Sequence, residues 1–287
     1  MIMPKYHLHH IEFYLTNVCN LTCTDCRSFN NFNLTGYYDF DIDLYRPWAE
    51  LLDLDGIEIL GGEPTLHPNL SAWMAGLREL WPTTPIYIST NGTYLDKAKN
   101  LHELAEQYNV DIKVAMHSQH LRKIIANKIL TGFGDCRVLP LEKAPSGDFI
   151  NTVVLETNRG VKLYCNNYEH FQLSAFKNNE FEFYNSDPVV AHKNCGLSNC
   201  HHMIDGKLYK CAVTATAGIF LQQYNLPIPK ILSEYRPLTP ADITSQQVLD
   251  NLQKHIPQCT LCPENNVVSK ITSTLKNKKI FKIQNQL

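Results

Sequence analysis

Three cysteines fall within eight residues of this 287-residue chain, Cys19-Asn20-Leu21-Thr22-Cys23-Thr24-Asp25-Cys26, spaced C-x3-C-x2-C. Thiolates are the usual ligands of iron–sulfur clusters, which commonly take four. Three thiolates on a four-iron cluster leave one iron without a protein ligand, a place to bind and activate a small molecule. Zinc is the alternative for this loop taken alone, because it closes a tetrahedral site with a fourth Cys or His, and His7, His9 and His10 stand nearby. A disulfide loop would strand an odd thiol. The residues just before, Ile11-Glu12-Phe13-Tyr14-Leu15, are apolar and β-favouring and run into the turn formers Thr16-Asn17. A strand therefore delivers the thiols on a loop.

A second motif, Gly61-Gly62-Glu63-Pro64, follows a short expected strand at 56–60. Two glycines permit a close approach to the backbone, and Glu63 offers an acceptor at a strand end. On its own the string reads as a plain turn. One βα unit after C-x3-C-x2-C, and continued by Thr65-Leu66-His67-Pro68, it resembles the radical S-adenosylmethionine (SAM) enzymes. The resemblance covers roughly residues 8–120. It implies an α/β fold, a partial (βα)6 barrel with its cofactors at the C-terminal ends of the strands. It also implies that Cys19, Cys23 and Cys26 hold a 4Fe-4S cluster and act in catalysis, and that Gly61, Gly62, Glu63 and Pro64 bind the amino group of SAM. The implied chemistry is reductive cleavage of SAM to a 5′-deoxyadenosyl radical, which abstracts a hydrogen atom from substrate. Asn91 and Ser118, at the ends of the next two strands, match positions that contact SAM in the family. A turn at Asn91-Gly92 and a helix cap at Ser118 explain both equally well.

Five more cysteines form a second constellation: Cys195-x4-Cys200-x10-Cys211, then Cys259-x2-Cys262. Asp205-Gly206 is a two-residue hairpin turn, and counting outward pairs 204 with 207 and 200 with 211. The pattern resembles the twitch and SPASM domains of radical SAM enzymes, which implies an auxiliary 4Fe-4S cluster. The single trailing C-x2-C suits the shorter twitch version. Five thiols exceed the four that a cluster takes, and a zinc ribbon remains the alternative here. His201-His202 invite a metal role, but on a hairpin one of them is expected to face solvent. Cys136 and Cys165 are isolated and read as small buried hydrophobes.

Hydrophobic residues at 44%, charged residues at 19% and a net charge of −2 describe an ordinary globular chain with no field toward nucleic acid or membrane. Neither a signal peptide nor a spanning apolar run is visible, and ten cysteines suggest metal or redox work in a reducing, cytoplasmic setting. Helices are expected at 44–54, 70–80, 95–108 and 121–130, and strands at 86–90 and 110–116, which makes βα units and a parallel sheet. Between 131 and 186 short strands are visible without a register. A shift in composition places a boundary near 190: a barrel over 1–190 and a small hairpin and helix domain over 191–287, with a helix near 245–254. The lysine-bearing segment 263–287 reads as a solvated, frayed terminus.

The reading that follows is a radical SAM oxidoreductase with a twitch-type second cluster. Net oxidation of a small polyol or sugar is expected, with electrons from a flavodoxin or ferredoxin type reductant. Modification of a peptide or protein side chain is the first rival. It is disfavoured because no leader-recognition domain fits before Cys19. A zinc-stabilised binding protein without catalysis is the rival from another class.

Overall fold

The first strand, β1 (Tyr6–Tyr14), turns Ile11 and Phe13 toward an apolar core and His10, Glu12 and Tyr14 the other way, by the two-residue period of a strand. The computed structural model describes residues 5–98, 100–116, 119–140, 152–167, 170–172, 183–265, 268–270 and 273–276. After β1 come α1 (Ile42–Leu51), β2 (Leu52–Leu60), α2 (Leu70–Leu80), β3 (Ile86–Thr90), α3 (Leu101–Gln107), β4 (Val110–Ala115) and α4 (Gln119–Phe133). Strands β1 to β4 pair in parallel and in sequence order. The helices cover the apolar face. Trp48, Trp73 and Phe13 are fully buried there, and Phe13 meets Tyr45, Trp73 and Trp81 edge-on. Helix α2 and strand β3 lie where the periodicity puts them. Helix α3 is shorter than expected, because Asn100 takes a left-handed backbone (φ 54°) and the helix starts only after it.

The stretch without a readable register resolves into β5 (Cys136–Leu139), β6 (Thr152–Thr157) and β7 (Lys162–Asn166). Strands β5 and β6, and β6 and β7, pair antiparallel, and β7 lies parallel to β4. A small second sheet joins β8 (His170–Gln172) to a late strand. Then follow α5 (Pro188–Lys193), the hairpin β9 (His201–Ile204) and β10 (Lys207–Tyr209), α6 (Ala212–Gln223), α7 (Lys230–Ser233), α8 (Gln246–Asp250) and β11 (Val268–Lys270), which is the partner of β8. The result is a mixed α/β fold on a nine-stranded sheet, in the order β10-β9-β1-β2-β3-β4-β7-β6-β5.

Two features of the C-terminal hairpin differ from expectation. The hairpin turn has the expected 204–207 pairing, but its ladder stops at Tyr209 and His202. Cys200 and Cys211 are therefore not a cross-strand pair; Cys211 leaves the strand to cap α6. The hairpin also does not stand apart, since β9 lies parallel to β1 and extends the main sheet. Helix α6 had no signal in the sequence. Its Thr, Val and Gly residues favour helix poorly, and burial on most sides leaves no polar stripe to read.

Candidate functional site at the strand ends

The chain leaving β1 runs beside the chain leaving β2. Gly62 N–H donates to Thr16 O (2.7 Å) and Glu63 N–H to Val18 O (2.8 Å). A Cβ on Gly62 would stand 2.2 Å from Val18 O, and one on Gly61 2.7 Å from Thr16 O. In the structure, then, the two glycines admit the backbone of the cysteine loop.

Glu63 is fully buried, and its carboxylate ties its own loop to the exit of β3. Its Oε1 accepts hydrogen bonds from Thr65 N–H (3.1 Å), Thr65 Oγ1 (2.6 Å) and Thr90 Oγ1 (2.6 Å), and its Oε2 from Asn91 N–H (2.7 Å). Burial raises its pKa above the usual carboxylate value, and these four donors pull against that rise. Asn91 carries the tie onward. Its Nδ2 donates to Asn20 Oδ1 (2.9 Å) and points at Cys19 Sγ (3.9 Å), while its Oδ1 accepts from Thr93. Asn20 returns a hydrogen bond to Thr93 Oγ1 (2.9 Å). The exits of β1, β2 and β3 are thus one bonded unit around Cys19. Ser118 lies outside the described residues.

The three thiols are in electrostatic contact with one another, and burial is the first cause of a raised pKa in each. Cys23 is pushed up to about 11. Cys19 rises further, with the Glu63 charge as its second cause. For Cys26 the backbone N–H groups of Ser28, Asn30 and Asn31 oppose the rise. The backbone around Cys26 is bent to bring them there, with Asp25 and Phe29 at positive φ (55° and 58°). Leu21 N–H reaches Cys19 Sγ (3.5 Å), and Cys23 Sγ is hydrogen-bonded with Ser273 Oγ (3.2 Å). Donors aimed at sulfur suit thiolates, and a bound metal would supply the positive charge that deprotonates these thiols. The donor set therefore fits a cluster on Cys19, Cys23 and Cys26.

The C-terminal cysteines divide into four and one. The charges of Cys211, Cys195 and Cys259 all act on the half-buried Cys262, whose thiol rises through desolvation first. Cys259 rises for the same reasons, with Cys211 and Cys195 as neighbours. These four residues converge from three places: the end of α5, the cap of α6 and the turn Pro257–Leu261. Cys200 is tied to Glu12 instead, although Arg27 acts on it as on Cys262. Burial raises its pKa first, and the Glu12 carboxylate adds to the rise by charge and by a hydrogen bond. Arg27, next to Cys26, reaches Cys195 Sγ (4.0 Å) and acts on Cys262, so the two thiol regions are neighbours. Among the described residues no three His, Cys, Asp or Glu side chains converge as on a single metal ion. Thiolates of a cluster bind different irons and stand wider.

Beside these thiols the polar face of the sheet is a network. Glu12 pairs with His202 (3.0 Å), and Glu58 pairs with Lys113 (2.5 Å) and His10 (3.5 Å). Burial opposes the charge on Glu58, but Lys113 and His10 hold its carboxyl below the usual range. Lys113 Nζ also sits 4.6 Å from the centre of the Tyr87 ring. None of this network was read from the sequence. The available signal was the alternation His10, Glu12 and Glu58 on strands whose other face is apolar. His201 and His202 are both buried, at 1% and 3% exposure, so neither faces solvent as expected. The reason is β1, which β9 joins side by side. Cys165 is buried as expected, and Cys136 is half-buried on β5.

No protein-family model matches the chain. It is similar to a curated protein, the 7-carboxy-7-deazaguanine synthase of Methanothermobacter thermautotrophicus, with 28% identity over 153 residues, 51% of this chain and 56% of that one. Among solved structures, BtrN in complex with AdoMet and 2-DOIA shares 22% identity over 40% of this chain and 48% of its own, with a TM-score of 0.31. Streptococcus suis SuiB bound to S-adenosylmethionine shares 16% over 44% of this chain and 39% of its own, with a TM-score of 0.27. The chain spans about half the length of the curated relative it matches. The sequence match, set beside Cys19-x3-Cys23-x2-Cys26 at the exit of β1, supports the radical SAM superfamily. Among the described residues no helix is long and apolar enough to cross a membrane.

Proposed function

We propose that this chain is a radical SAM enzyme in which Cys19, Cys23 and Cys26 hold a 4Fe-4S cluster at the exit of β1. The observation that carries the reading is the bonded unit of three strand exits, with Glu63 and Asn91 fixing the loop that presents the thiols. Gly61, Gly62, Glu63, Pro64, Asn91 and Ser118 would line the SAM position. Glu63 would act there chiefly by holding two backbones in place, because its carboxylate already takes four hydrogen bonds. When bound, the cluster and SAM supply a 5′-deoxyadenosyl radical that removes a hydrogen atom from substrate.

Cys195, Cys211, Cys259 and Cys262 would hold an auxiliary 4Fe-4S cluster, as in a twitch domain over 191–287 that shares its sheet with the barrel of 1–190. Cys200 would stay outside that set, on Glu12. The Glu12, Glu58, His10 and Lys113 network offers hydrogen-bonding and charged groups to a small polar molecule, which supports a polyol or sugar as substrate. Net oxidation would send the substrate's electron to the auxiliary cluster. A flavodoxin or ferredoxin type donor would reduce the first one.

Anaerobic reconstitution tests the reading. The protein should be brown, should carry iron that falls by about half in a Cys19/Cys23/Cys26 all-Ala variant, and should release 5′-deoxyadenosine from SAM with a strong reductant. A colourless protein holding stoichiometric zinc would overturn it.

A further inference from the structure

Part of the segment expected to be a frayed end, residues 273–276, is folded onto the cysteine loop. Leu275 forms an antiparallel bridge with Leu21. Thr22 N–H donates to Thr274 O (3.0 Å), Lys276 N–H donates to Asn20 O (2.8 Å), and the two threonine hydroxyls meet at 2.8 Å. Residues 274–276 thus add a short extended partner to the three residues that separate Cys19 from Cys23. Ser273, at 2% exposure, places its hydroxyl on Cys23 Sγ. Lys276 then reaches past the loop. Its Nζ donates to Asn30 O (2.6 Å) and Phe32 O (2.5 Å), just beyond Cys26. One short segment therefore grips the loop between its first two thiols and again beyond the last.

The ammonium lies within electrostatic reach of Cys19, Cys26 and Cys23, and burial works against its charge. Beside three neutral thiols the ammonium has only its two carbonyl acceptors to offset its lost hydration. Beside three thiolates on a cluster it gains a great deal, because the attraction acts away from bulk water.

Resting on the radical SAM reading, we propose that residues 273–276 are a built-in support of the cluster loop. Within them Lys276 is a positioning residue that ties the loop down and sets a fixed positive charge against the cluster that Cys19, Cys23 and Cys26 would carry. The charge has a redox consequence. When one electron arrives from a donor of the flavodoxin or ferredoxin class, no bond is made or broken and no proton is taken up. The site becomes one unit more negative, and a fixed cation favours that reduced state.

Three variants of the holoprotein separate tie from charge. Lys276→Gln keeps donors for the two carbonyls and loses the charge, Lys276→Met loses both, and Lys276→Arg keeps both. Potentials are read by EPR-monitored titration of the cluster whose signal responds to SAM. Hydrogen exchange of the 19–33 stretch is read on apoprotein. Lys276→Gln should lower the equilibrium constant for reduction about tenfold, about 59 mV for a one-electron couple, with loop exchange close to wild type. Lys276→Met should show the same fall and at least tenfold faster exchange. Lys276→Arg should stay near wild type in both. If Lys276→Met does not fold, Lys276→Gln still decides the charge. An unchanged potential in Lys276→Gln, with iron present, overturns the proposal and leaves the radical SAM reading standing. If wild type takes up no iron on Cys19, Cys23 and Cys26, that reading fails and the charge role fails with it.

Discussion

The two thiol regions are built in opposite ways. Cys19, Cys23 and Cys26 come from one loop, and the ends of neighbouring strands hold that loop in place. Cys195, Cys211, Cys259 and Cys262 come from three separate elements, and the fold must be complete before they are neighbours. Yet each region has a lysine, half-buried Lys276 and buried Lys210, whose ammonium is held by main-chain carbonyls. Lys276 lies on Asn30 and Phe32 beside the first set, and Lys210 lies on Leu252 beside Cys211, Cys259 and Cys195. The shared feature is the countercharge, and the difference is whether local sequence or tertiary structure gathers the thiols.

The sharpest break of the comparison is to remove each set whole. A Cys19/Cys23/Cys26 all-Ala variant should lose all formation of 5′-deoxyadenosine, measured by chromatography after anaerobic incubation with SAM. A Cys195/Cys211/Cys259/Cys262 all-Ala variant should keep slow SAM cleavage and lose product. Product at the wild-type rate from the second variant would remove the redox role given to that set.

Glu63 tests the local scaffold. In Glu63→Gln an amide NH2 faces groups that themselves donate, from Thr65, Thr90 and Asn91. The variant should lose about 1–3 kcal/mol of stability and bind SAM roughly ten- to a hundredfold more weakly, read by denaturant melts and calorimetry. Equal stability would show that the four hydrogen bonds do not hold the loops.

Within the second region, the division into four and one is testable residue by residue. Cys262→Ala should lose the iron of the auxiliary site, whereas Cys200→Ala should retain it, because Cys200 is bonded to Glu12. Iron analysis of the two variants reads this directly. Equal loss in both would return Cys200 to the ligand set.

The smallest effect expected is one of pH. His201 donates from Nδ1 to Lys210 O (2.8 Å), and burial lowers its pKa to about 4. The folded ring stays neutral while an unfolded ring takes a proton near pH 6.5. Apoprotein stability should therefore fall as pH drops from about 6.5 toward 4, by at most ~1.4 kcal/mol per unit. In His201→Gln that part of the slope should vanish from denaturation curves taken at pH 7 and pH 5.

What was legible in the sequence follows the same division. Leu70, Trp73 and Leu77 repeat at helical spacing, and α2 is there. Cys19, Cys23 and Cys26 declare themselves because their geometry is set by a short loop. What stayed hidden depends on contacts between distant residues. Nothing in His201-His202 says that β9 will lie against β1, and nothing in Lys276 says that it will reach Asn30. The tie of Cys200 to Glu12 likewise joins residues far apart in the sequence.

Thr22 and Thr274 are 252 positions apart, and that distance is also an interval of time. At about 5–20 residues per second, a ribosome adds residues 273–276 some ~13–50 s after it has made the thiol loop. Through that interval Cys23 has no Ser273 and the backbone at Thr22 has no partner strand. Metal loading during synthesis would act on a half-built loop, and loading after release would act on a finished one. Ribosome-bound chains that end at residue 272, or that continue past residue 276 into a linker long enough to clear the ribosome, should differ in how fast an alkylating reagent reaches Cys23.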